Sequence, residues 1–282
     1  MKKVKLFLNY AGFCSAKESH VIKGGAKRDI KFQALFGLIE HPEKGWILYD
    51  TAYTTRFYEA TKYYPNKTYA QMTKVVIEPE QEVKMQLKQF GIAPEDIKHI
   101  IITHFHADHV AGLKDFPNAQ FYCSRAAYSQ LKRISNFWAF SKGILKDLIP
   151  KDFDDRVLLI EDIGKKKEDP IFKKCYDLFD DDSIIIYPLP GHAAGQIGLR
   201  LETAAQSYFL IADACWLNTS YQEMQLPSSI VKLFFDSWSD FKDSLKNVHN
   251  FYKAHPETII VPTHCSKTTD PLISTNFDLN AL

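Results

Sequence analysis

The chain has 282 residues, of which 45% are hydrophobic and 24% are charged, and its formal net charge is +1. This composition is typical of a soluble globular protein, and the near-zero net charge gives no electrostatic reason to expect a nucleic-acid partner. No apolar stretch approaches the roughly 20 residues of a membrane-spanning helix. We therefore expect one domain over residues 1–282 that neither binds nucleic acid nor enters a membrane.

The N-terminus and the cysteines bear on where the protein resides. Two lysines precede an apolar run at residues 6–8, but Asn9 interrupts that run before it reaches the length of a signal-peptide core, so we expect a β-strand. The five cysteines include no C-x-x-C pair, which favours a reducing cytoplasm. Cys265 is either a reactive thiol or, as we favour, a small buried side chain.

Six short runs of β-branched and other apolar residues predict buried strands. They lie at residues 45–51, 97–103, 183–189, 196–202, 208–212 and 258–263. Helical spacing is found between them, at residues 79–90, where Pro79 opens the segment and Gly91 ends it, and at residues 237–253. Strands that alternate with helices predict an α/β layered protein.

Residues 126–173 lean toward helix and contain Phe137, Trp138 and Phe140. We interpret this segment as a helical insertion or cap rather than a separate domain. Near its end, the lysines of GKKKED at residues 164–169 have acidic neighbours. We therefore expect a solvated loop there and not a site for a polyanion.

The sequence THFHADH at residues 103–109 places three histidines and an aspartate within six positions. His104 and His106 are two residues apart on extended chain, so both can reach one metal ion. Asp108 and His109 follow the turn and can face a second ion. Imidazole nitrogen and carboxylate oxygen together suit zinc or a similar first-row ion.

Three further candidates stand where predicted strands end. His192, Asp213 and His264 each follow an apolar run, as His104 does. In layered α/β folds such strand ends converge on the binding site, and Gly191 would allow a tight turn that aims His192 inward. The set of five histidines and two aspartates is enough for two ions about 3.5 to 4 Å apart that share one carboxylate.

A single buried histidine is more often a structural hydrogen-bonding residue than a ligand, and this applies to His192 or His264 taken alone. Their common placement at strand ends favours ligands for the set. The other histidines lack this placement, and we expect them at the surface or in packing: His20, His41, His99, His249 and His255.

These residues belong to a pattern that runs along most of the chain. It comprises ILYDT at residues 47–51, THFHADHVAGL at 103–113, PLPGHAAGQIGL at 188–199, LIADA at 210–214 and VPTHC at 261–265. In order and spacing these elements resemble the metallo-β-lactamase superfamily of dinuclear hydrolases. The resemblance implies an αββα sandwich of two similar halves, with two metal ions at one edge.

The resemblance also implies how the ligands are shared between two Zn²⁺ ions, or other divalent ions such as iron, manganese or cobalt. The first ion would be held by His104, His106 and His192, the second by Asp108, His109 and His264, and Asp213 would bridge both. Asp50, which ends a predicted strand, either orients a ligand or metal-bound water or is a turn former.

Within the superfamily, the opening NYAGFCSAKESHV at residues 9–21 and the short C-terminal end are most similar to the N-acyl homoserine lactonases. Those enzymes place a tyrosine three residues after the bridging aspartate, where it is thought to help the substrate carbonyl or the leaving group. Here that position is Trp216, whose indole N–H donates a hydrogen bond but has no acidic proton to give. Tyr221 is a candidate substitute, although a loop tyrosine is more often packing or surface.

We therefore expect a hydrolase in which a metal-bridging hydroxide opens a lactone or cleaves an ester, while Asp108 accepts or relays a proton. The substrate would be a small molecule with an apolar acyl or aryl group. Aromatic-rich residues 56–69 and 231–241 could line its pocket, although we expect most of these rings in the core. We also allow for a homodimer.

Other activities stay open at such a site. Phosphodiester or phosphotriester hydrolysis uses the same two metals, and thioester hydrolysis is a further alternative. The glyoxalase II pattern is disfavoured because only 18 residues follow His264. Asp213 argues against a true β-lactamase, His106 against a flavodiiron oxidoreductase, and the near-neutral charge against a tRNA nuclease. A non-enzymatic metal-binding protein is disfavoured because every ligand position is filled.

Overall fold

The computed structural model describes residues 2–276. Its first sheet comes from the N-terminal half of the chain and consists of β1 (Lys5–Lys17), β2 (Asp29–His41), β3 (Gly45–Tyr49), β4 (Val75–Val76), β5 (His99–Ile101), β6 (Gln120–Cys123) and β7 (Val157–Leu159). Across the sheet the order is β4-β1-β2-β3-β5-β6-β7. The pairs from β4 to β3 are antiparallel, and those from β3 to β7 are parallel.

The second sheet follows in the chain. Its strands are β8 (Lys165–Asp169), β9 (Lys173–Asp177), β10 (Ile184–Pro188), β11 (Ile197–Glu202), β12 (Ser207–Ala212) and β13 (Thr258–Pro262), in the order β13-β12-β11-β10-β9-β8. Only the pair of β12 and β13 is parallel within this described sheet.

Helices connect the strands and cover the sheets. The α-helices are α1 (Glu18–Val21), α2 (Arg56–Ala60), α3 (Asn66–Met72), α4 (Val83–Gln89), α5 (Ala107–Val110), α6 (Arg125–Arg133), α7 (Asn136–Ala139), α8 (Phe153–Arg156), α9 (Ile160–Ile163), α10 (Asn218–Glu223), α11 (Trp238–Ala254) and α12 (Ser266–Asn276). The 3-10 helices are Pro79–Gln81, Pro94–Asp96, Leu113–Asp115, Phe140–Lys142, Lys146–Leu148 and Ser229–Phe234. Over residues 2–276, none of the helices has the length and apolar character needed to span a bilayer.

Alternating side chains explain why the two sheets face each other. Successive residues of a strand point to opposite faces. Ile47 and Tyr49 of β3 therefore share one buried cluster with Ile184 and Ile186 of β10, while Leu48 belongs to a different cluster. The first cluster is the core between the sheets.

The outer faces of the sheets are covered by helices. Leu48 lies in the same buried cluster as Leu87 of α4. On the other side of the molecule, Phe209 of β12 shares a buried cluster with Leu245 and Phe251 of α11. The layers are therefore helix, sheet, sheet and helix, which confirms the αββα sandwich.

The sequence predictions for the regular elements are largely confirmed. All six predicted strands are present with ends within two residues of the expected ones, and α11 begins after Ser237, whose side chain caps it by accepting the Asp240 N–H at 3.3 Å. The predicted helix at residues 79–90 is divided, because Glu82 has extended backbone between a 3-10 turn and α4. The Glu82 carboxylate accepts hydrogen bonds from the backbone N–H and the hydroxyl of Thr55.

The expected helical insertion at residues 126–173 is only partly correct. Its first part forms α6, α7 and α8, but its second part contains β7 and β8, the edge strands of the two sheets. The GKKKED segment is therefore strand β8 and not a loop. An edge strand tolerates lysines, since one edge and often one face meet solvent. A segment rich in lysine and acidic residues lacks the apolar pattern from which strands are predicted, so β8 was not recognised from the sequence. Lys167 is paired there with Asp177 at 2.9 Å.

Parallel pairing brings the candidate residues to one end of the molecule. In β3 and β5, Tyr49 pairs with Ile101, so the segments after both strands leave side by side. In the second sheet β12 and β13 pair in parallel up to Ala212 and Pro262. The chain therefore delivers Asp213 next to the end of β13, as the rule of converging strand ends predicts.

Candidate metal centre

The loop after β5 and the short helix α5 carry the first four candidate ligands. His104 and His106 lie on the loop, and Asp108 and His109 lie in α5. The centroids of the His104 ring and the His109 ring are 4.0 Å apart, and those of the His104 ring and the His106 ring are 4.4 Å apart. The compact motif thus folds into one cluster.

The turn between β10 and β11 brings His192 to this cluster. Its Nε2 lies 3.0 Å from Nδ1 of His106. Gly191 has a φ of 126°, and a Cβ added to it would come within 2.0 Å of the Phe241 nitrogen at the start of α11. Only glycine fits this close approach, so the backbone turn predicted from the sequence is present.

Asp213 lies at the centre of the cluster. Its Oδ2 is 3.3 Å from Nε2 of His192 and 3.2 Å from Nε2 of His264. Its Oδ1 is 3.5 Å from Nε2 of His109. One carboxylate therefore faces His192 of the first predicted ligand set and both histidines of the second, His109 and His264. This is the geometry that a bridging ligand needs.

Asp108 completes the second group. Its Oδ2 lies 3.4 Å from Nε2 of His264 and 3.6 Å from Nε2 of His109. The described residues contain three overlapping sets of side chains, and within each set the potential ligand atoms lie within 4.8 Å of one another. The sets are His104, His106 and His192; His104, His109 and Asp213; and Asp108, His109 and His264.

Several polar atoms in this cluster are buried without a hydrogen bond. Within the described residues, His104 Nε2, His109 Nε2 and Asp213 Oδ1 have no hydrogen-bond partner. A buried polar atom without a partner is costly, and a cation among these atoms would satisfy all three. Nitrogen and carboxylate oxygen are the donors that zinc and similar ions take, so the residues present fit divalent metal ions.

Hydrogen bonds on the far side of the rings fix their orientation. Asp50 accepts the His109 Nδ1 proton at 2.7 Å and the Thr103 backbone N–H at 2.8 Å. His264 Nδ1 donates to the Gln33 carbonyl at 2.8 Å. Both contacts direct Nε2 of the ring toward the cluster, which is how supporting residues orient metal ligands. Asp50 adopts a φ of 55°, a strained conformation that agrees with a functional constraint.

The electrostatics differ among the histidines. Burial lowers the pKa of His104, His106 and His192, so these rings are neutral and keep a lone pair for a metal. Burial also acts to lower the pKa of His109, but the carboxylates of Asp108 and Asp50 outweigh it, and this pKa is raised.

A cleft of about 850 Å³ opens above the cluster. His106, Asp108, His192, Asp213 and His264 lie at its floor. Much of its wall is apolar and comes from Phe32, Phe140, Trp216, Val231, Leu233, Phe234 and Phe235. A small molecule with an apolar part would be enclosed on several sides and meet the metal ligands at the floor.

Trp216, which stands at the position of the family tyrosine, and Tyr221, the candidate substitute for that tyrosine, lie in different places. Trp216 lines the cleft, and its Nε1–H donates to Asp213 Oδ2 at 3.1 Å. Tyr221 is 4% exposed and packs against Tyr252 beneath α11, outside the residues that line the cleft. Of the two alternatives for Tyr221, a substitute for the family tyrosine or a packing residue, the structure agrees with packing, because α10 turns its ring into the outer core.

Sequence reasoning missed several residues of the cleft. Cys14 and Tyr53 line it, and so does His20, which we expected at the surface or in packing. Tyr69 also lines the cleft, and it belongs to the aromatic-rich residues 56–69 that were candidates for this lining. Tyr53 comes just after the strand end at Asp50, and that placement was the only available signal. Cys265 is 1% exposed, and its Sγ accepts the Asn218 backbone N–H at 3.3 Å, in agreement with a packing role.

Fold and site together define the class of protein. Residues 30–217 match the model of the metallo-beta-lactamase superfamily, and the chain belongs to that superfamily. Among individual proteins, it is similar to the N-acyl homoserine lactonase AttM of Rhizobium radiobacter, with 25% identity over 186 residues. The matched part is 66% of this chain and 65% of that protein, so the chain spans just under two thirds of the relative's length.

Solved structures of lactonases share the fold. A B. thuringiensis AiiA variant with N-decanoyl-L-homoserine bound at its active site superposes with a TM-score of 0.73 at 21% identity, over 96% of this chain and 97% of that one. AidC, a dizinc quorum-quenching lactonase, has a TM-score of 0.62 at 16% identity, over 95% and 89% of the two chains. At these identities the likeness concerns the fold.

Proposed function

We propose that the protein hydrolyses a lactone or another carboxylic ester of a small molecule, at a centre of two divalent metal ions such as zinc. The observation that carries the proposal is the position of Asp213. Its two oxygens face histidines of both groups at 3.2 to 3.5 Å, at the floor of an apolar cleft. A single carboxylate between two sets of ligands supports two ions and not one.

The ligands divide between the two ions. His104, His106 and His192 would hold the first, Asp108, His109 and His264 would hold the second, and Asp213 would contact both. When bound, such ions supply an activated water molecule near neutral pH and polarise the carbonyl of the substrate. Asp108 lies at the surface of the cleft floor, where its carboxylate can take the proton that the attacking water loses.

The shape of the cleft supports an acyl ester as the substrate class. Trp216, Phe32 and Phe235 form one apolar wall, with ring centroids 5.5 to 5.7 Å apart. Such a wall can hold a hydrocarbon chain while the ester carbonyl reaches the floor.

The similar proteins named as lactonases also support acyl esters or lactones as the substrate class. N-acyl homoserine lactones are therefore the first substrates to examine.

The cysteines support a cytoplasmic location. All five are free and buried in the structure. Free thiols without disulfides are typical of proteins in a reducing compartment. We therefore place the protein in the cytoplasm.

The function is tested by metal analysis of the purified protein together with a panel of lactones, aryl esters, thioesters and phosphodiesters. We expect two ions per chain and turnover of lactones or esters. His106→Ala should abolish turnover, while His255→Ala, at a histidine outside the cluster, should leave it unchanged. Turnover of phosphodiesters alone would contradict the reaction, and full activity of His106→Ala would contradict the site.

A further inference from the structure

The aromatic side chains that line the cleft differ in whether they can donate a proton to a substrate. On one wall the Trp216 ring packs on Phe235, and its single N–H is engaged by Asp213 at 3.1 Å. An indole has no acidic proton. The Trp216 indole is therefore unable to protonate an oxygen leaving the substrate.

Two phenols also line the cleft. Tyr53 lies in the loop after β3, and Tyr69 lies on α3. Both rings pack on Phe57, with centroids 5.6 and 5.8 Å from its ring, and both residues line the cleft together with Asp108. The loop is held to the sheet by a hydrogen bond from the Tyr53 backbone N–H to the Ala11 carbonyl at 3.2 Å.

The Tyr53 phenol lies close enough to the Tyr69 phenol and to the Cys14 thiol to influence the pKa of each. Burial raises the pKa of both phenols, and it raises the pKa of Cys14 to about 12. All three groups are therefore protonated at neutral pH, so the phenols carry protons and the thiol is not a nucleophile.

We propose that Tyr69, supported by Tyr53, protonates the oxygen that leaves when the substrate ester bond breaks. The inference rests on the hydrolase function proposed above, and it assigns Tyr69 a part that the Trp216 indole cannot take. Tyr53 is a positioning residue, which donates a hydrogen bond to the oxygen of Tyr69 and stabilises it as a phenolate.

The proton balance closes within the cleft. Water attacks the carbonyl carbon and loses a proton to Asp108. The bond between that carbon and the ester oxygen breaks, its electron pair stays on the oxygen, and the Tyr69 hydroxyl supplies the proton. Asp108, which lines the same cleft as both phenols, then returns its proton to the Tyr69 phenolate.

A pair of substrates with the same acyl chain tests this assignment. A lactone or alkyl ester releases an alkoxide that needs a proton, whereas a 4-nitrophenyl ester releases a stable anion that does not. Tyr69→Phe should lower kcat on the lactone about a hundredfold or more, and on the nitrophenyl ester less than about threefold. Tyr53→Phe should show the same selectivity with a smaller loss of about tenfold.

Tyr221→Phe is the matched control, since it removes a phenol that is buried outside the cleft. It should leave the ratio of the two rates unchanged, and metal content should be equal in all variants. Equal losses on both substrates, or no loss on either, would overturn the role of Tyr69. Should Tyr69→Phe fail to fold, Tyr53→Phe carries the same test.

The experiment also distinguishes a failure of this inference from a failure of the proposed function. If the wild-type protein cleaves only phosphodiesters, the proposed function is wrong, and the comparison is repeated with alkyl and 4-nitrophenyl phosphodiesters. Selective loss on the alkyl substrate would still support Tyr69 as the proton donor. Absence of turnover on every substrate would overturn both proposals.

Discussion

The two halves of the candidate centre are built differently. His104, His106 and His192 are neutral rings whose pKa values are lowered by burial. The other half contains Asp108, and the His109 ring is also bonded to the buried Asp50 carboxylate. One half thus offers only neutral nitrogens, whereas the other adds negative charge of its own.

This difference has a consequence for how tightly each half would hold a cation. Opposite charges a few ångströms apart in a poorly hydrated site attract strongly, whereas neutral imidazoles bind only through their lone pairs. We therefore expect the half with Asp108 to retain its ion longer than the three-histidine half. The shared carboxylate of Asp213 couples the two.

The largest effect is expected from removal of the shared ligand. Asp213→Ala deprives both halves of their common carboxylate, so metal content should fall below one ion per chain. Because bound metal contributes several kcal/mol to transition-state stabilisation, kcat/KM should fall by roughly a thousandfold or more. Metal analysis and ester kinetics on the same preparation check this. Retention of both ions would show that Asp213 does not bridge.

Loss of a ligand from one half should be less severe and should distinguish the halves. His192→Ala and Asp108→Asn should each keep about one ion, with a different half emptied in each variant. Asp108→Asn should lower kcat by an additional factor of about a hundred, because it also removes the proton acceptor. Competition with a graded series of chelators measures the remaining affinity. It should be higher in His192→Ala, and equal affinities would contradict the charge argument.

Asp50→Asn perturbs the charged half without removing a ligand. The carboxylate that orients His109 is replaced by an amide, and metal affinity should fall about 10- to 100-fold. The effect should be confined to one of the two ions in a chelator titration. Asp177→Asn, which alters a buried carboxylate in the second sheet, should leave metal affinity unchanged. An equal loss in both variants would mean that Asp50 acts on the fold rather than on the centre.

The smallest effect is expected at Trp216. Trp216→Phe keeps an aromatic ring in the cleft wall but removes the hydrogen bond to Asp213 Oδ2. The loss of one such bond should lower kcat by up to about tenfold, with KM and metal content unchanged. Steady-state kinetics determine kcat and KM separately, and metal analysis determines the metal content. A rise in KM alone would indicate that the ring serves substrate binding only.

The sequence was sufficient to predict that the candidate ligands lie together, because His104, His192, Asp213 and His264 each follow an apolar run, and strand ends converge in layered folds. His192 and Asp213 were identified in this way. Strand β2 was not, although its Gln33 carbonyl orients His264. That strand mixes polar and apolar residues, and its role depends on a partner 231 positions away in the chain, a distance over which periodicity carries no information.

Two other features depend on tertiary packing in the same way. Tyr53 and Tyr69 are neighbours because both rings pack on Phe57, and neither spacing nor composition reveals this packing. Tyr221 is close in sequence to Asp213 but is turned into the outer core by α10. Nearness along the chain was therefore a poor guide to the walls of the cleft, whereas strand ends were a good guide to its floor.

A crystal structure of the zinc-loaded protein, with anomalous scattering recorded at the zinc absorption edge, tests the two-cation centre most directly. Two anomalous peaks about 3.5 to 4 Å apart, with Asp213 in contact with both, are the expected result. A lone peak, or peaks away from Asp213 and His264, would contradict the account.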